Sequence, residues 1–465
     1  MANHEQAPAH ILLIPFPAPG NMLPLLDLAH HLSTKPNLIS ISITITIVVS
    51  PNTLPLLSPL LSTSSSIHPL ILPFPSTTSI SEPPLSSFLS ISHSLSTLLS
   101  PILQWALSSS LPLTSIISDF LLPWSYHLSQ QLSIPNLVFC PFSALTVSLA
   151  HSLWRTMPER DLPDSPGSLV SLPDIPSSPS YPWYHLSPMF KPQKDGDTLH
   201  GFIKEALLKN IDSWGFIFNT FSDLEAPYLD HLRRGLLRVF AVGPIRPLEH
   251  APPADDKVIE WLNTCEDRSV VYVCLGPQTV LAPAQMEAVA AALEISGERF
   301  VWCVRGPGVE PEKEVVVPAG FEERVKGRGV VVEGMVAQPA VLEHKAVVAF
   351  VTHCGWRSVM EGMAAGVKMM TWPMGADQYV NERVVVEMGM GVRVCEGVDG
   401  VVNVEEMVKK VKEVMMVVGR EREGEEVVVV ELKRKVAAAV GEGGSSSEDL
   451  ESLVEELCLL GRRGT

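Results

Sequence analysis

Phe350-Val351-Thr352-His353-Cys354-Gly355-Trp356-Arg357-Ser358-Val359-Met360-Glu361 runs from an apolar stretch through a short polar turn into a segment of helical character. The pattern predicts a buried strand, a tight turn and a helix start. Met369-Met370-Thr371-Trp372-Pro373 predicts the next strand, and Met374-Gly375-Ala376-Asp377-Gln378 the loop that follows it. A strand that breaks into His, Gly, Trp and Ser at a helix N-terminus gathers backbone N–H groups and side-chain donors, which suits a phosphate or pyrophosphate. Turn chemistry alone is equally that of an ordinary joint in an α/β core. The second polar pair, Asp377-Gln378, tips the balance, because open parallel sheets bind ligands outside the carboxyl ends of their strands.

Outward from this stretch the chain repeats strand–helix units. Val270-Val271-Tyr272-Val273-Cys274-Leu275, Phe300-Val301-Trp302-Cys303-Val304 and Val330-Val331-Val332 predict strands before it, with a helix around Gln285 to Ile295. The first half carries its own series. Ile11 to Phe16 is a continuous apolar run of the kind central parallel strands show, followed by a turn at Pro17-Ala18-Pro19-Gly20-Asn21 and a helix from Met22 to Leu32. Ile39 to Val49, His68 to Phe74, Thr114 to Phe120, Asn136 to Cys140, Gly215 to Thr220 and Arg238 to Pro244 predict further strands, and Ser143 to Trp154 a helix. The Ser-, Leu- and Pro-biased segment 76–113 holds too many leucines for a solvated tail, so helices and loops over the sheet are expected there. Leu248 to Asp256, with Ala251-Pro252-Pro253, is the linker candidate. The division is therefore 1–247, a linker at 248–256, a second domain at 257–440 and a last helix within 441–465. Ser445-x-x-Glu448 reads as the capping box of that helix, and Leu450, Leu453, Val454 and Leu457 as its apolar face.

A chain of 465 residues can bury two α/β cores. Its formal charge of −17 argues against nucleic acid and anionic membrane as partners. Seven scattered cysteines with no CxxC pair or His/Cys cluster read as free thiols rather than disulfides or metal ligands. Asp195-Gly196-Asp197 has the D-x-D look of a metal site, but follows a Pro-rich loop instead of a strand and reads as a solvated turn. No basic n-region precedes Ile11, and no run reaches the roughly 20 apolar residues of a membrane span. A cytoplasmic monomer is expected. The loop Pro158 to Pro192, with Tyr181, Trp183, Tyr184 and Phe190, is either an apolar ligand pocket or a variable surface loop.

The stretch Met335 to Gln378 resembles the donor-sugar signature of plant UDP-dependent glycosyltransferases. The resemblance rests on Gln338, Leu342, His344, Phe350, His353-Cys354-Gly355-Trp356, Ser358, Glu361, Gly366, Trp372-Pro373 and Asp377-Gln378. Ser118-Asp119-Phe120, Asn219-Thr220-Phe221, Val242-Gly243-Pro244 and Trp261-Leu262 extend it over nearly the whole chain. Pro318 to Arg324 and Arg393 to Gly397 are similar to the clade that glycosylates flavonols and hydroxybenzoates, flavonol 7-O-rhamnosyltransferases included. The resemblance implies a GT-B fold: two Rossmann-like parallel-sheet domains facing a central cleft, the last helix crossing back to the first. It implies inverting transfer from a UDP-sugar, glucose or else rhamnose, to a hydroxyl or carboxyl of a phenolic or flavonoid acceptor, with no metal and no cofactor. Gln338, His353, Gly355, Trp356 and Ser358 would surround the diphosphate and Glu361 hold the ribose. Val336 would also belong to the donor site, and Asp377 and Gln378 would bind the sugar.

Several positions depart from that pattern. The family's general base, a His oriented by an Asp on a neighbouring strand, corresponds to Asn21 and Asp119. An amide takes no proton at neutral pH. Either Asp119 contacts the acceptor itself with a raised pKa, or the acceptor is acidic enough to need no base. Pro277 replaces a Ser near the diphosphate, and Met335 replaces a Trp that stacks on uracil. Arg357 replaces an Asn beside the phosphates, where it adds a charge-assisted bond or crowds the pocket. Lys368 and Ala337 replace prolines. A second expectation is thus a relative that binds UDP-sugar or a phenolic ligand with little or no turnover.

Overall fold

The computed structural model describes residues 8–35, 42–75, 86–156, 165, 167–187, 198–236, 238–248, 255–276, 279–304, 317–334, 336–419 and 425–463. Asp195-Gly196-Asp197, most of the linker candidate, Pro277 and Met335 lie outside them. The chain divides into two compact units, Met1–Leu248 with Ala438–Thr465, and Glu249–Ala437.

The first unit is built on β1 (Ala9–Ile14), β2 (Ile43–Val49), β3 (Ile67–Ile71), β4 (Ser115–Asp119), β5 (Asn136–Cys140), β8 (Gly215–Phe218) and β9 (Val239–Ala241), with a small antiparallel hairpin of β6 (Leu169–Ser171) and β7 (Ser180–Pro182) beside them. The seven strands are parallel in the order β3-β2-β1-β4-β5-β8-β9. All six residues of β1 are buried, which is why it reads as unbroken apolar sequence: both faces are covered by helices. His10 is the polar exception, and its two ring nitrogens are bonded to Leu111 O and Thr46 Oγ1, each at 2.9 Å. Pro19 opens the helix Pro19–Thr34 at its first turn, where its missing N–H costs nothing. Asn21, expected in the preceding turn, is therefore inside the helix. The helix expectation for 76–113 is met by Ser86–Leu95 and Leu99–Ser108.

The second unit carries β10 (Val270–Cys274), β11 (Arg299–Val304), β12 (Gly329–Glu333), β13 (Val347–Thr352), β14 (Lys368–Thr371) and β15 (Gly391–Arg393), all parallel in the order β12-β11-β10-β13-β14-β15. Val271, Val273, Phe300, Trp302, Val351, Met370 and Trp372 form its main core against helix Pro283–Ser296. The two parallel α/β sheets give the GT-B architecture.

The last helix, Ser445–Arg463, belongs to the first unit. Leu453, Val454, Leu457 and Cys458 are buried in the core made by β1 and β2. Asp449 Oδ2 accepts the Ala241 N–H at 2.7 Å and Ser446 Oγ donates to Gly243 O at 2.6 Å. The capping box is not at Ser445, which is already helical; the Glu448 N–H bonds the Gly444 carbonyl at 2.9 Å. No helix among the described residues is long and apolar enough to cross a membrane.

Candidate functional site

In each sheet the strand order reverses direction at one place, between β1 and β4 in the first and between β10 and β13 in the second. Each switch point opens a crevice of its own at the carboxyl ends of its strands. At the first stand the predicted Asn21, after β1, and Asp119, at the end of β4; at the second stand Gly276, after β10, and the predicted His353, after β13.

In the first unit Asn21 and Asp119 are in contact. The Asn21 Nδ2 group lies 3.3 and 3.1 Å from the two carboxylate oxygens of Asp119, and Asp119 Oδ1 also accepts the Leu121 N–H at 2.9 Å. Asp119 is fully buried, and Asn21 is 8% exposed. Burial pushes the Asp119 carboxyl up to about 7, against the smaller opposing pull of the Leu121 and Asn21 hydrogen bonds. A neutral amide donates to the carboxylate without supplying the charge that would offset its burial. Asp119 caps a turn, as a lone Asp at a strand end does, and is also poised near neutrality. His30 and His31 sit about 14 Å further along the helix by its 1.5 Å rise, and the His31 Nε2 pairs with Arg246 O at 3.1 Å.

In the second unit the turn after β13 is held open by its own backbone. Cys354 takes a left-handed φ of 65°, uncommon for a residue with a side chain. Its N–H bonds Thr352 Oγ1 at 3.2 Å, and its carbonyl accepts from Asn381 Nδ2 at 3.0 Å. The His353 ring lies between two glycines. A Cβ on Gly276 or Gly355 would fall 2.8 or 2.7 Å from Nε2. Gly276 moreover has φ +87°, a conformation suited to glycine. Burial lowers the His353 imidazole to about 4, so the ring is neutral at physiological pH.

The helix Trp356–Ala365 starts at this turn with Gly355 as its N-cap. Its first two turns carry Arg357, Ser358 and Glu361, and the helix Gln338–Glu343 brings Gln338 onto them. Gln338 Nε2 donates to Ser358 Oγ at 3.1 Å and to Glu361 Oε2 at 2.7 Å, while Tyr272 from β10 donates to Gln338 Oε1 at 3.4 Å. Arg357 Nε pairs with Glu361 Oε1 at 2.8 Å. A cation in the first turn of a helix opposes the helix dipole, and Glu361 one turn on offsets it. Both oxygens of Glu361 are thus engaged within the protein. Val336 is buried, and its carbonyl accepts the Gln338 N–H at 2.8 Å. Trp356 is buried beside the turn.

The loop after β14 adds a third group. Asp377 Oδ2 accepts from Asn381 Nδ2 at 2.7 Å, and burial raises its carboxyl to about 6. Gln378 turns its Oε1 inward, onto the Met374 and Gly375 N–H groups at 2.8 and 3.2 Å. Asn381 joins this loop to the His353-Cys354 turn, and Arg393 pins Glu382 of the same helix at 2.6 Å. Sequence reasoning missed Tyr272 and Asn381. Asn381 stands one helical turn after Asp377, a spacing that could have found it; Tyr272 sits inside an apolar strand and gave no sign.

Comparison with known proteins follows the same outline. The family described as UDP-glucoronosyl and UDP-glucosyl transferase matches residues 217–417. The chain is 41% identical over 470 residues to UDP-glycosyltransferase 89B2 of Stevia rebaudiana, covering 97% of this chain and 98% of that protein. It is 40% identical over 475 residues to a flavonol 3-O-glucosyltransferase of Arabidopsis thaliana, covering 99% and 98%. The crystal structure of Arabidopsis thaliana UGT89C1 complexed with UDP-L-rhamnose superposes with a TM-score of 0.76 at 33% identity, over 97% of this chain and 99% of that one.

Proposed function

Since this chain belongs to the UDP-glucoronosyl and UDP-glucosyl transferase family and is a UDP-glycosyltransferase, we propose that it transfers glucose from UDP-glucose, with inversion and without a metal, to an acidic phenolic or flavonoid acceptor. The observation that carries this reading is the connected set Gln338–Ser358–Glu361 at the start of helix Trp356–Ala365. The helix N-terminal amides around Gly355 to Ser358 receive the diphosphate, and neutral His353 meets it as a hydrogen-bonding group. Glu361 takes the ribose hydroxyls alongside Gln338. Asp377 accepts from the sugar, and Gln378, with its Oε1 turned inward, offers its NH₂ end. Gln378 supports glucose, as does the 40% identity to a glucosyltransferase. Rhamnose is the alternative, supported by the 33% identity to the flavonol 7-O-rhamnosyltransferase of Arabidopsis thaliana. Free thiols at all seven cysteines support a cytoplasmic enzyme, here read as a monomer.

The acceptor's chemistry follows from Asn21. With its NH₂ group on Asp119, the Asn21 side chain has its Oδ1 left to accept from an acceptor hydroxyl, and it orients that oxygen without removing its proton. Asp119 is fully buried behind it. The reaction then favours acceptors already ionised near pH 7: carboxylic acids and the more acidic phenols. A second reading, ligand binding without turnover, is favoured by the same Asn21.

The test is to incubate the purified protein with UDP-glucose or UDP-rhamnose against flavonols and hydroxybenzoates of graded acidity and to detect products by mass spectrometry. Glycosides, with rates rising steeply with acceptor acidity, support the proposal. UDP binding by calorimetry with no product from any pair supports the second reading. No UDP binding overturns the donor site.

A further inference from the structure

Cys274 ends β10 and Cys303 lies near the end of β11. The parallel register pairs Val273 with Trp302, so the next residues of the two strands, Cys274 and Cys303, are neighbours. Adjacent strands run about 4.8 Å apart, within the roughly 4.4–6.8 Å Cα separation a disulfide spans. Side chains paired in register on neighbouring strands project to the same face, and both cysteines are partly exposed. Cys140, Cys354 and Cys458 are buried instead.

The pair is wired to the helix start described above. Cys303 Sγ donates to Tyr272 Oη at 3.7 Å, Tyr272 Oη donates to Gln338 Oε1 at 3.4 Å, and Gln338 Nε2 holds Ser358 and Glu361. Tyr272 lies two residues before Cys274, on the same face of the sheet.

We propose that Cys274 and Cys303 form a reversible disulfide by exchange with a small-molecule disulfide such as oxidised glutathione, and that the bridge weakens nucleotide binding through Tyr272 and Gln338. Cys274 is the attacking thiol. The neighbouring Cys303 thiol is the main cause that brings it down to about 7, against the opposing effect of burial, so a sizeable fraction is thiolate at neutral pH. The Cys274 thiolate attacks one sulfur of oxidised glutathione and expels one glutathione thiolate, leaving a mixed disulfide. Cys303 then loses its proton to solvent, attacks the Cys274 sulfur and expels the second glutathione. Two protein thiols are oxidised and one glutathione disulfide is reduced to two thiols, so the exchange balances. Bridged, Cys303 has no S–H to give Tyr272, and the sulfurs close to about 2.05 Å. The Tyr272–Gln338 contact loses its backing.

The bridge is independent of the proposed function; its effect on nucleotide rests on that reading. The whole protein is incubated with oxidised glutathione, blocked with N-ethylmaleimide and mapped by peptide mass spectrometry, and UDP affinity is measured by calorimetry before and after oxidation. The expected result is a Cys274–Cys303 cross-linked peptide pair, lost on adding dithiothreitol, and a UDP affinity about three- to tenfold weaker in the oxidised form. Cys303→Ser should show glutathione retained on Cys274 and no cross-link; Cys274→Ser serves if that variant folds poorly by circular dichroism. Both cysteines found alkylated after oxidation overturns the bridge. A cross-link with unchanged UDP affinity overturns the coupling. Absence of UDP binding to the reduced protein overturns the nucleotide reading and the coupling with it, and leaves the bridge to be decided by the peptide map.

Discussion

The polar groups at the two switch points are built on opposite plans. In the second unit the carboxylates near the turn are tied into the protein: Glu361 holds Arg357 and Gln338, and Asp377 holds Asn381. In the first unit a single buried carboxylate faces a neutral amide. The connected group can keep its shape without a ligand, because each member orients the next. The isolated pair carries an unmet electrostatic demand, and this raises Asp119 to about 7. The connected group is thus held by its own internal wiring, while the Asn21–Asp119 pair is set apart by the charge its amide partner lacks.

The largest effect should come from supplying what is missing. Asn21→His sets an imidazole against Asp119 and should raise kcat for weakly acidic phenols by about 10²–10⁴-fold, with UDP affinity unchanged. Transfer to carboxylic acids should barely move. An equal gain for both acceptor classes would show that ionisation of the acceptor does not limit the native enzyme.

Asp119 and His353 should also answer pH in opposite senses. Asp119 binds its proton more tightly folded, at about 7, than unfolded, near 3.8. Its contribution to stability is present at low pH and is lost as pH rises from about 4 to 7, by about 1.4 kcal/mol per pH unit. His353 is the reverse. Its folded value of about 4 lies below the unfolded 6.5, so the stability of the wild-type protein relative to His353→Gln should rise with pH from about 4 to 6.5 and level off above. Relative to Asp119→Asn it should fall from about pH 4 to 7 and then level off. Urea unfolding of each variant against wild type across pH 4–8 measures both slopes, and matching signs would break the contrast.

Next in size, Glu361→Ala strips Arg357 of its carboxylate in the first turn of a helix and should cost about 2–4 kcal/mol. Arg357→Asn leaves Glu361 held by Gln338 and should cost less, about 1 kcal/mol. If the two variants unfold at the same urea concentration, the network is not carried by the glutamate. Of a size between these two, Gly276→Ala forces a side chain into a left-handed backbone and towards His353, and should lower stability by about 1–3 kcal/mol. Loss of UDP affinity larger than loss of stability would show that the ring's position matters to binding in its own right.

Much of this was legible. Unbroken apolar runs such as Ile11 to Ile14 mark strands covered on both faces, and polar breaks at their ends mark the site. The sequence alone leaves Arg357 either contacting phosphate or crowding it. The geometry adds a third role, a pair with Glu361, which i,i+4 spacing on a helix makes natural. The raised carboxyl of Asp119 was anticipated as one of two alternatives, because an apolar strand end desolvates a charge. The Tyr272–Cys274–Cys303 cluster was not legible, since strand register between distant segments decides it and sequence does not display register. The Ser445 capping box failed because the chain turns at Gly443-Gly444 and the helix begins one residue earlier than its cap signal.

The last helix sets the order in which the chain can complete itself during synthesis. Residues 249–437 are a continuous insertion, and every strand of their sheet has emerged before Ala438. The first unit, begun earlier, waits longer. Its core lacks Leu453, Val454, Leu457 and Cys458, and β9 lacks the Asp449 carboxylate, until the end of the chain arrives. Each withheld aliphatic side chain is worth about 1.5–3 kcal/mol of burial. The unit whose first strands precede the insertion is thus completed after it, and a nascent chain stopped before Ser445 should present an incomplete first unit and a finished second one.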